Sequence, residues 1–186
     1  MGRGRKQLMQ ETWLKPNRLA ILIGCIPSLI LGAIGAWLLL LFDSANHWSW
    51  LGIIMILASL GFVALMLSQL RWPRIAYNDG SVQFYLRSGP PIAVPVEIVE
   101  AFFAGQGPAH LPGLARQPQT VNLVARLSQR HTEWARQDVK PALGNWCDGY
   151  VTIRGSWCEP LDGELIRKLN RRLKELKDGI EEPSKR

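Results

Sequence analysis

Two apolar segments dominate the N-terminal third of the 186-residue chain. Leu19–Phe42 reads LAILIGCIPSLILGAIGAWLLLLF, Leu51–Leu70 reads LGIIMILASLGFVALMLSQL, and neither contains Asp, Glu, Lys, Arg or His. A helix of about 20 apolar residues crosses the roughly 30 Å hydrocarbon core of a bilayer, whereas a helix in a water-soluble core carries a polar face. The two segments therefore predict a transmembrane helical hairpin over residues 19–70. A cleaved signal peptide is the weaker alternative, because its apolar region is about 7–15 residues long.

Basic residues flank the predicted hairpin on its outer sides. The connection Asp43–Ser49 contains no Lys or Arg. Because Lys and Arg accumulate on the cytoplasmic side, we expect both termini in the cytoplasm, residues 1–18 to form a basic cytoplasmic segment, and the chain to be an integral protein of the inner (cytoplasmic) membrane. The basic residues concerned are Arg3, Arg5, Lys6, Lys15 and Arg18 before the hairpin and Arg71 and Arg74 after it.

Small residues recur every four positions in the first apolar segment, at Gly24, Ser28, Gly32 and Ala36. In lipid, small side chains let helices approach closely, so this stripe predicts a packing face. The expected partner is the second segment through Gly61, Ala64 and Ser68, although the stripe could instead join copies of the chain into a homo-oligomer. Since ionisable groups usually mark transport pathways, their absence from both segments favours a simple anchor over a transporter or channel.

A soluble domain is predicted over residues 71–180, followed by a tail at 181–186. Asn78-Asp79-Gly80 is a strong hairpin-turn signal, and Val82, Phe84 and Leu86 alternate with polar residues after it. Pro95 favours an edge position for the strand that contains it. The last element, Glu164–Asp178, has apolar residues at a helical period and a basic opposite face. The expected fold class is α+β, in which a mainly β barrel is closed by a C-terminal amphipathic helix.

The order of these elements resembles the pleckstrin-homology (PH) fold, and more closely the bacterial PH-like domains that follow a pair of transmembrane helices. The resemblance covers about residues 71–178. It is carried by RIAYNDGSVQFYLRSGPPIAVPVEIVEAFF, Arg74–Phe103, and by the closing segment WCEPLDGELIRKLNRRL, Trp157–Leu173. Such a resemblance implies a PH-like barrel without shared catalytic residues, and some members bind phosphoinositides through basic residues of the first hairpin. The long connection Gln106–Gln119, rich in Pro and Gly, departs from the family pattern.

No motif for catalysis, phosphate binding or metal binding is present. The chain lacks G-x-x-x-x-G-K-[ST], G-x-S-x-G and H-E-x-x-H. Cys147 and Cys158 are expected in a reducing compartment as free thiols, and His110 and His131 are too scattered to complete a zinc site. We therefore expect no cofactor and no metal, and we do not expect an enzyme. A cysteine-dependent enzyme remains a minor alternative, because Cys and His partners can meet in the fold.

Two loops are candidates for partner binding, because long loops are often functional. His110 and Arg116 lie in the first loop, Gln106–Gln119, and Trp146 lies in the second, Pro141–Gly149. Arg71, Arg74 and Arg87 are the basic residues that could face lipid headgroups. The leading hypothesis is a membrane-anchored PH-like module that binds a membrane or membrane-associated protein, or a peptide, and does not bind nucleic acid. The alternative is a sensor of anionic lipid headgroups.

Overall fold

In a computed structural model the chain folds into two compact units, and residues 11–41, 47–109 and 118–181 are described. One unit comprises residues 17–72 and consists of two long helices. The other is formed by residues 11–16 together with 73 onward, and contains β-sheets and a third helix. The α+β class is confirmed.

The helical unit contains α1 (Arg18–Leu41) and α2 (His47–Ser68), and a short 3₁₀ turn (Gln69–Arg71) follows α2. Both helices are long and apolar enough to cross a bilayer. Large apolar side chains are exposed along both of them, and Leu40 reaches 88% exposure. The two helices pack antiparallel, as the contacts run in opposite directions along the chain: Ser28 meets Ser59, whereas Gly35, later in α1, meets Gly52, earlier in α2. The hydroxyl of Ser59 donates to the carbonyl oxygen of Ser28 at 2.6 Å, while Gly35 lies against Gly52.

The α1 face that contacts α2 differs from the predicted stripe. Nothing lies within 4 Å of a Cβ placed on Gly24, and Ala36 is exposed, so only Ser28 and Gly32 of the stripe belong to this face. Steps of four residues drift by about 40° per step around a helix with 3.6 residues per turn. Alternating steps of four and three stay on one side, and the observed face follows that spacing. It consists of Ser28, Gly32, Gly35 and Leu39, opposite Gly52, Met55, Ile56 and Ser59 of α2.

The β unit contains two four-stranded antiparallel sheets. The first has the order β1-β2-β3-β4 and the second the order β5-β6-β8-β7. Within the described residues the ladders form two separate sheets and do not close into a continuous barrel. The strands are β1 (Glu11–Leu14), β2 (Ile75–Asn78), β3 (Ser81–Phe84), β4 (Ile92–Pro95), β5 (Val99–Pro108), β6 (Gln119–Leu127), β7 (Gly144–Cys147) and β8 (Tyr150–Ile153).

One tight turn and one edge strand follow directly from the sequence. Asn78 pairs with Ser81, and the two residues between them, Asp79 and Gly80, have φ angles of 47° and 75°. Positive φ at both central residues defines the hairpin turn that the Asn-Asp-Gly signal predicts. Pro95 ends β4, which is an edge strand as expected, because proline has no N–H to donate to a neighbouring strand.

Strand β1 is the main departure from the predicted boundaries. It lies within the predicted basic segment 1–18, yet it pairs antiparallel with β2. In the sequence, both helices lie between these two strands. Leu14 is fully buried, and its carbonyl oxygen accepts the N–H of Arg74 at 2.8 Å. Lys15 extends the contact, since its carbonyl oxygen accepts the N–H of Glu159. The sheet unit thus begins before the helices, and the predicted domain 71–180 lacks one of its strands.

Helix α3 (Gly163–Glu181) packs on the sheets as its apolar period predicts. Leu169 and Leu173 are buried in one apolar cluster that contains side chains of both sheets, including Phe84 and Phe102. Asp162 caps the helix, because its carboxylate accepts the N–H of Leu165 at 2.7 Å.

Candidate partner-binding surface

The three arginines predicted to face lipid differ in their surroundings. Arg74 is only 5% exposed, and its Nε donates to the carbonyl oxygen of Trp157 at 3.1 Å. Arg87 is exposed and donates to the carbonyl oxygen of Pro90. Arg71 belongs to the helical unit. None of these arginines lines the three grooves described below. Because Arg74 is buried, the expectation that it is an exposed basic residue is wrong.

The interior around Arg74 holds a buried thiol. Burial raises the pKa of Cys158 to about 12, although the charge of Arg74 opposes that rise. Burial also lowers the pKa of Arg74. The thiol of Cys158 donates to the carbonyl oxygen of Arg154 at 3.3 Å. A thiol held protonated in this way is a poor nucleophile, because the thiolate is the reactive form.

A second buried arginine fixes the base of the long β5–β6 connection. Arg154 is 8% exposed, and its Nη1 donates to the carbonyl oxygen of Pro108 at 3.1 Å. The hydroxyl of Ser156 donates to the carbonyl oxygen of Ala109, and the N–H of Ala109 donates to Pro118. Burial lowers the pKa of Arg154. The predicted partner-binding residues His110 and Arg116 lie outside the described residues, but both ends of their loop are held by these contacts.

Trp146, the third predicted partner-binding residue, points into the core. It is 3% exposed, its indole N–H donates to the carbonyl oxygen of Trp134 at 2.7 Å, and its ring meets Phe84 edge to face. The reason is strand parity. Trp146 pairs with buried Val151 on the inner face of the second sheet, whereas Asn145 and Cys147 face outward. Trp146 is therefore a core residue, although it borders a groove of about 460 Å³.

Two grooves run along α3. The larger, about 510 Å³, lies at the start of the helix and is lined by acidic Glu159, Asp162 and Glu164 together with basic Arg167, Lys168 and Arg171. The smaller, about 210 Å³, lies between α3 and β1 and shares Lys168 and Arg171 with the first. Within the described part of the chain, these two cations form no ion pair.

The remaining cation of the smaller groove is committed to a structural contact. Arg172 donates from Nε and Nη2 to the carboxylate of Glu11 at 2.9 and 3.0 Å, and from Nη1 to Glu175 at 2.8 Å. These hydrogen bonds raise the pKa of Arg172. They join α3 to β1, so Lys168 and Arg171 are the cations of the smaller groove that remain available for an acidic ligand.

A polar residue within the apolar stripe of α3 bonds to the backbone of β5, the edge strand of the second sheet. Asn170 shares the stripe with Ile166 and Leu173, at a helical spacing. Its side-chain amide makes two hydrogen bonds of 2.8 Å to the main chain of Phe102, one to the N–H and one to the carbonyl oxygen. Asn170 thus pairs with edge strand β5 as a neighbouring strand would. Sequence reasoning passed over this residue, although an amide at a buried position of an amphipathic helix was the available signal.

The outer face of the second sheet is partly apolar. Phe103 and Tyr150 are 46% and 41% exposed there, and Val124 lies between their strands on β6. Arg126 pairs with Glu100 at 2.8 Å at the border of this area. In residues 11–41, 47–109 and 118–181, no group of three His, Cys, Asp or Glu side chains converges on a metal-binding geometry. The candidate surfaces thus offer grooves, strand edges and apolar side chains for binding.

Comparison with protein-family models, with curated proteins and with solved structures finds no match to this chain.

Proposed function

We propose that this protein is a membrane-anchored, non-catalytic PH-like module that binds a protein or peptide partner at the cytoplasmic face. In this proposal α1 and α2 form a transmembrane hairpin, and the β unit is the binding domain. Two points support the PH-like assignment: the order of two antiparallel sheets followed by a C-terminal helix, and the packing of that helix on a shared core.

The pairing of β1 with β2 is the main observation that supports the proposed hairpin topology. Residues 11–14 precede both apolar helices and residues 75–78 follow them, yet the two strands form one ladder. Strands can pair only when they lie on the same side of a bilayer. If α1 crosses the membrane, α2 must therefore cross back, which is the topology of a hairpin. The basic flanks favour the cytoplasm as the common side.

Reporter fusions test this topology. A fusion at Asn46, between the helices, should be active only as a non-cytoplasmic reporter, and a fusion at the C-terminus only as a cytoplasmic one. The same fusions in a variant that lacks α2 serve as the control. A cytoplasmic signal at Asn46, or release of the full chain from membranes by alkaline carbonate, would overturn the anchored topology.

The β5–β6 loop, which contains His110 and Arg116, is the proposed partner-binding element, and Arg154 and Ser156 hold its base at Pro108 and Ala109. The test is affinity purification of the full chain in mild detergent. Proteins that co-purify with the wild-type chain are compared with those of a variant whose residues 110–117 are replaced by a Gly/Ser linker of equal length. We expect a specific protein to be lost from the variant. Identical sets of co-purifying proteins would contradict the role of the loop.

A lipid-sensing function is the second candidate, and it is favoured by the unpaired Lys168 and Arg171 in the grooves of α3. Near an anionic membrane each such cation contributes about 1 kcal/mol, and salt screens this attraction. If protein binding is the main function, the full chain in neutral proteoliposomes should capture anionic vesicles only weakly and without headgroup preference. K168Q/R171Q tests the grooves, and K174Q, at an exposed position, is the control. Salt-resistant capture of one headgroup that only the double variant abolishes would favour the lipid sensor.

A further inference from the structure

Strand β5 is an edge strand whose outward-facing backbone groups can be assigned residue by residue. The β5–β6 ladder ends with Pro108 opposite Gln119, and one residue further along the N–H of Ala109 donates to the carbonyl oxygen of Pro118. Hydrogen-bonded pairs alternate with non-bonded pairs along an antiparallel ladder. Residues 101, 103, 105, 107 and 109 therefore bond to β6, while the N–H and C=O groups of residues 102, 104 and 106 point to the free edge. The hydrogen bonds from Asn170 to Phe102 agree with this assignment.

The fold itself covers both ends of this edge. Asn170 satisfies Phe102 at one end, and Arg154 donates to the carbonyl oxygen of Pro108 at the other. Between them Ala104 and Gln106 are exposed, and within the described residues their backbone groups have no hydrogen-bond partner. The open part of the edge thus has two donors and two acceptors, spaced as an antiparallel strand requires.

We infer that a second copy of this chain pairs with this edge, strand β5 against strand β5, about a two-fold axis at Gly105. In that register Ala104 of each copy is opposite Gln106 of the other. Both are outward-facing positions, so the two pairs exchange four backbone hydrogen bonds. A register centred on Ala104 would place Gln106 opposite Phe102, whose backbone groups already bond to Asn170. Only the register centred on Gly105 uses every free group of both copies.

The side chains are complementary in the same register. On the outer face, exposed Phe103 of one copy is opposite Gly107 of the other, and the two Gly105 residues meet at the axis. Side chains of β6 fill the positions that Cβ atoms would occupy at Gly105 and Gly107, Val124 at the first and Asn122 at the second, so neither glycine adds bulk at the axis. On the inner face Ala104 meets Gln106, a small side chain against a flexible amide. A two-fold interface uses the same patch twice, and this patch fits itself.

The contact is small, which determines where it should form. A pair of strands of about five residues buries far less than the roughly 800 Å² per partner of a standard interface. Association should therefore be weak in dilute detergent. Confinement of the chain to a membrane raises its effective concentration, so that a weak contact suffices. This step relies on the proposed membrane anchor, whereas the register relies only on the β unit.

Disulfide cross-linking of the full chain in native membranes tests the register, with Cys147→Ser in every variant to remove the half-buried thiol. Directly opposed, hydrogen-bonded residues have Cα atoms about 5.5 Å apart, which is within disulfide reach. Co-expression of Ala104→Cys and Gln106→Cys chains carrying different tags should therefore give a cross-linked heterodimer under mild oxidation. Either variant alone should give only background cross-linking, because like positions are offset by two residues and lie beyond the ~7 Å limit.

A second measurement uses no cysteine. Single-molecule photobleaching in vesicles should show two-step events for the wild type and loss of them for Ala104→Pro, which removes the outward N–H. Ala104→Val keeps that N–H and is the matched control. Equal cross-linking of like and unlike cysteine pairs, or two-step events that persist in the proline variant, would overturn the inference. So would hydrogen-exchange protection of Ala104 and Gln106 without cross-linking, which would assign the edge to another partner. If the reporter fusions fail but cross-linking succeeds, the anchor is wrong and the register stands.

Discussion

The helical unit and the β unit use opposite kinds of residue at their contacts. Between α1 and α2 the close contacts involve Gly35 with Gly52 and Ser28 with Ser59, while large apolar side chains such as Leu40 point outward. In the β unit, Phe84 and Phe102 are buried and the exterior is mainly polar. In water the hydrophobic effect drives large side chains inward, but in lipid it provides no such force and close packing of small residues takes over. The difference agrees with the proposed placement of α1 and α2 in a bilayer.

The largest expected effect comes from removing β1. A chain of residues 73–181 alone should not fold cooperatively, since Trp13 and Leu14 leave the core. Each buried side chain of this kind contributes about 1.5–3 kcal/mol, out of roughly 5–15 kcal/mol for a whole domain. The control joins residues 11–16 to residue 73 through a short Gly/Ser linker in place of the helices. This chain should be soluble and unfold cooperatively in urea. A stable fold without β1 would contradict the unit boundaries.

The next largest effect is expected at alkaline pH, which should lower the free energy of unfolding of the β unit. The unfolded thiol of Cys158 has its ordinary pKa of 9.0, whereas burial raises the folded value to about 12. Its contribution is therefore complete below pH 9 and is lost as the pH rises from about 9 to 12, by at most about 4 kcal/mol. Urea unfolding of the linked β unit across this range should show the loss. Cys158→Ala should have a shallower pH slope, and parallel slopes would contradict the assignment.

Substitution at a glycine between the helices should cost about 1–3 kcal/mol, the usual range for overpacking. A Cβ on Gly35 would lie 2.7 Å from the carbonyl oxygen of Gly52, so Gly35→Val should weaken the pairing of α1 with α2. Gly24→Val is the matched control, because nothing lies within 4 Å of its Cβ position. Steric trapping in detergent measures both variants. Equal destabilisation would indicate that Gly24 also lies in the helix contact.

Loss of the Asn170 amide is expected to cost a similar or slightly smaller amount, about 1–3 kcal/mol, because it leaves the N–H and C=O of Phe102 without a partner. We expect Asn170→Ala to lower the urea midpoint of the linked β unit. Lys174→Ala, on the exposed side of α3, should leave it unchanged. If both substitutions shift the midpoint equally, helix propensity and not the strand contact is responsible.

The smallest expected effect lies in the helical unit. Ser59→Ala removes the hydrogen bond from the Ser59 hydroxyl to Ser28, and such bonds between membrane helices average about 0.6 kcal/mol. Ser68→Ala is the control, because that hydroxyl bonds only to Leu65 of its own helix. A loss of several kcal/mol for Ser59→Ala would place this contact in a setting unlike lipid.

The features that sequence predicted are those encoded locally. The apolar segments, the Asn78-Asp79-Gly80 turn and the amphipathic helix α3 each depend on residues close in the chain. Strand β1 was missed because four residues with basic neighbours give little signal, and their partner strand begins 61 positions later, at Ile75 against Leu14. Long-range pairing of this kind cannot be read from periodicity.

The directions of individual side chains were the hardest to predict. Arg74 and Trp146 were assigned to the surface from residue type and loop context, and both are buried. A shift of one residue in strand register turns every side chain to the other face, so the register must be known before a surface can be assigned. Asn170 shows the converse case, a polar residue that the structure explains through a contact 68 positions away in sequence.

The insertion of α1 and α2 between β1 and β2 also sets an order of events during synthesis. Strand β1 leaves the ribosome first, but its partner is not made until both helices have been completed. At about 5–20 residues per second this delay lasts roughly 3–12 s. Throughout that time Trp13 and Leu14 have no sheet to join, and in the proposed topology α1 is already available to the insertion machinery. The β unit can therefore finish folding only after the second helix has been synthesised and, in the proposed topology, after residue 75 has returned to the side of the membrane that holds β1.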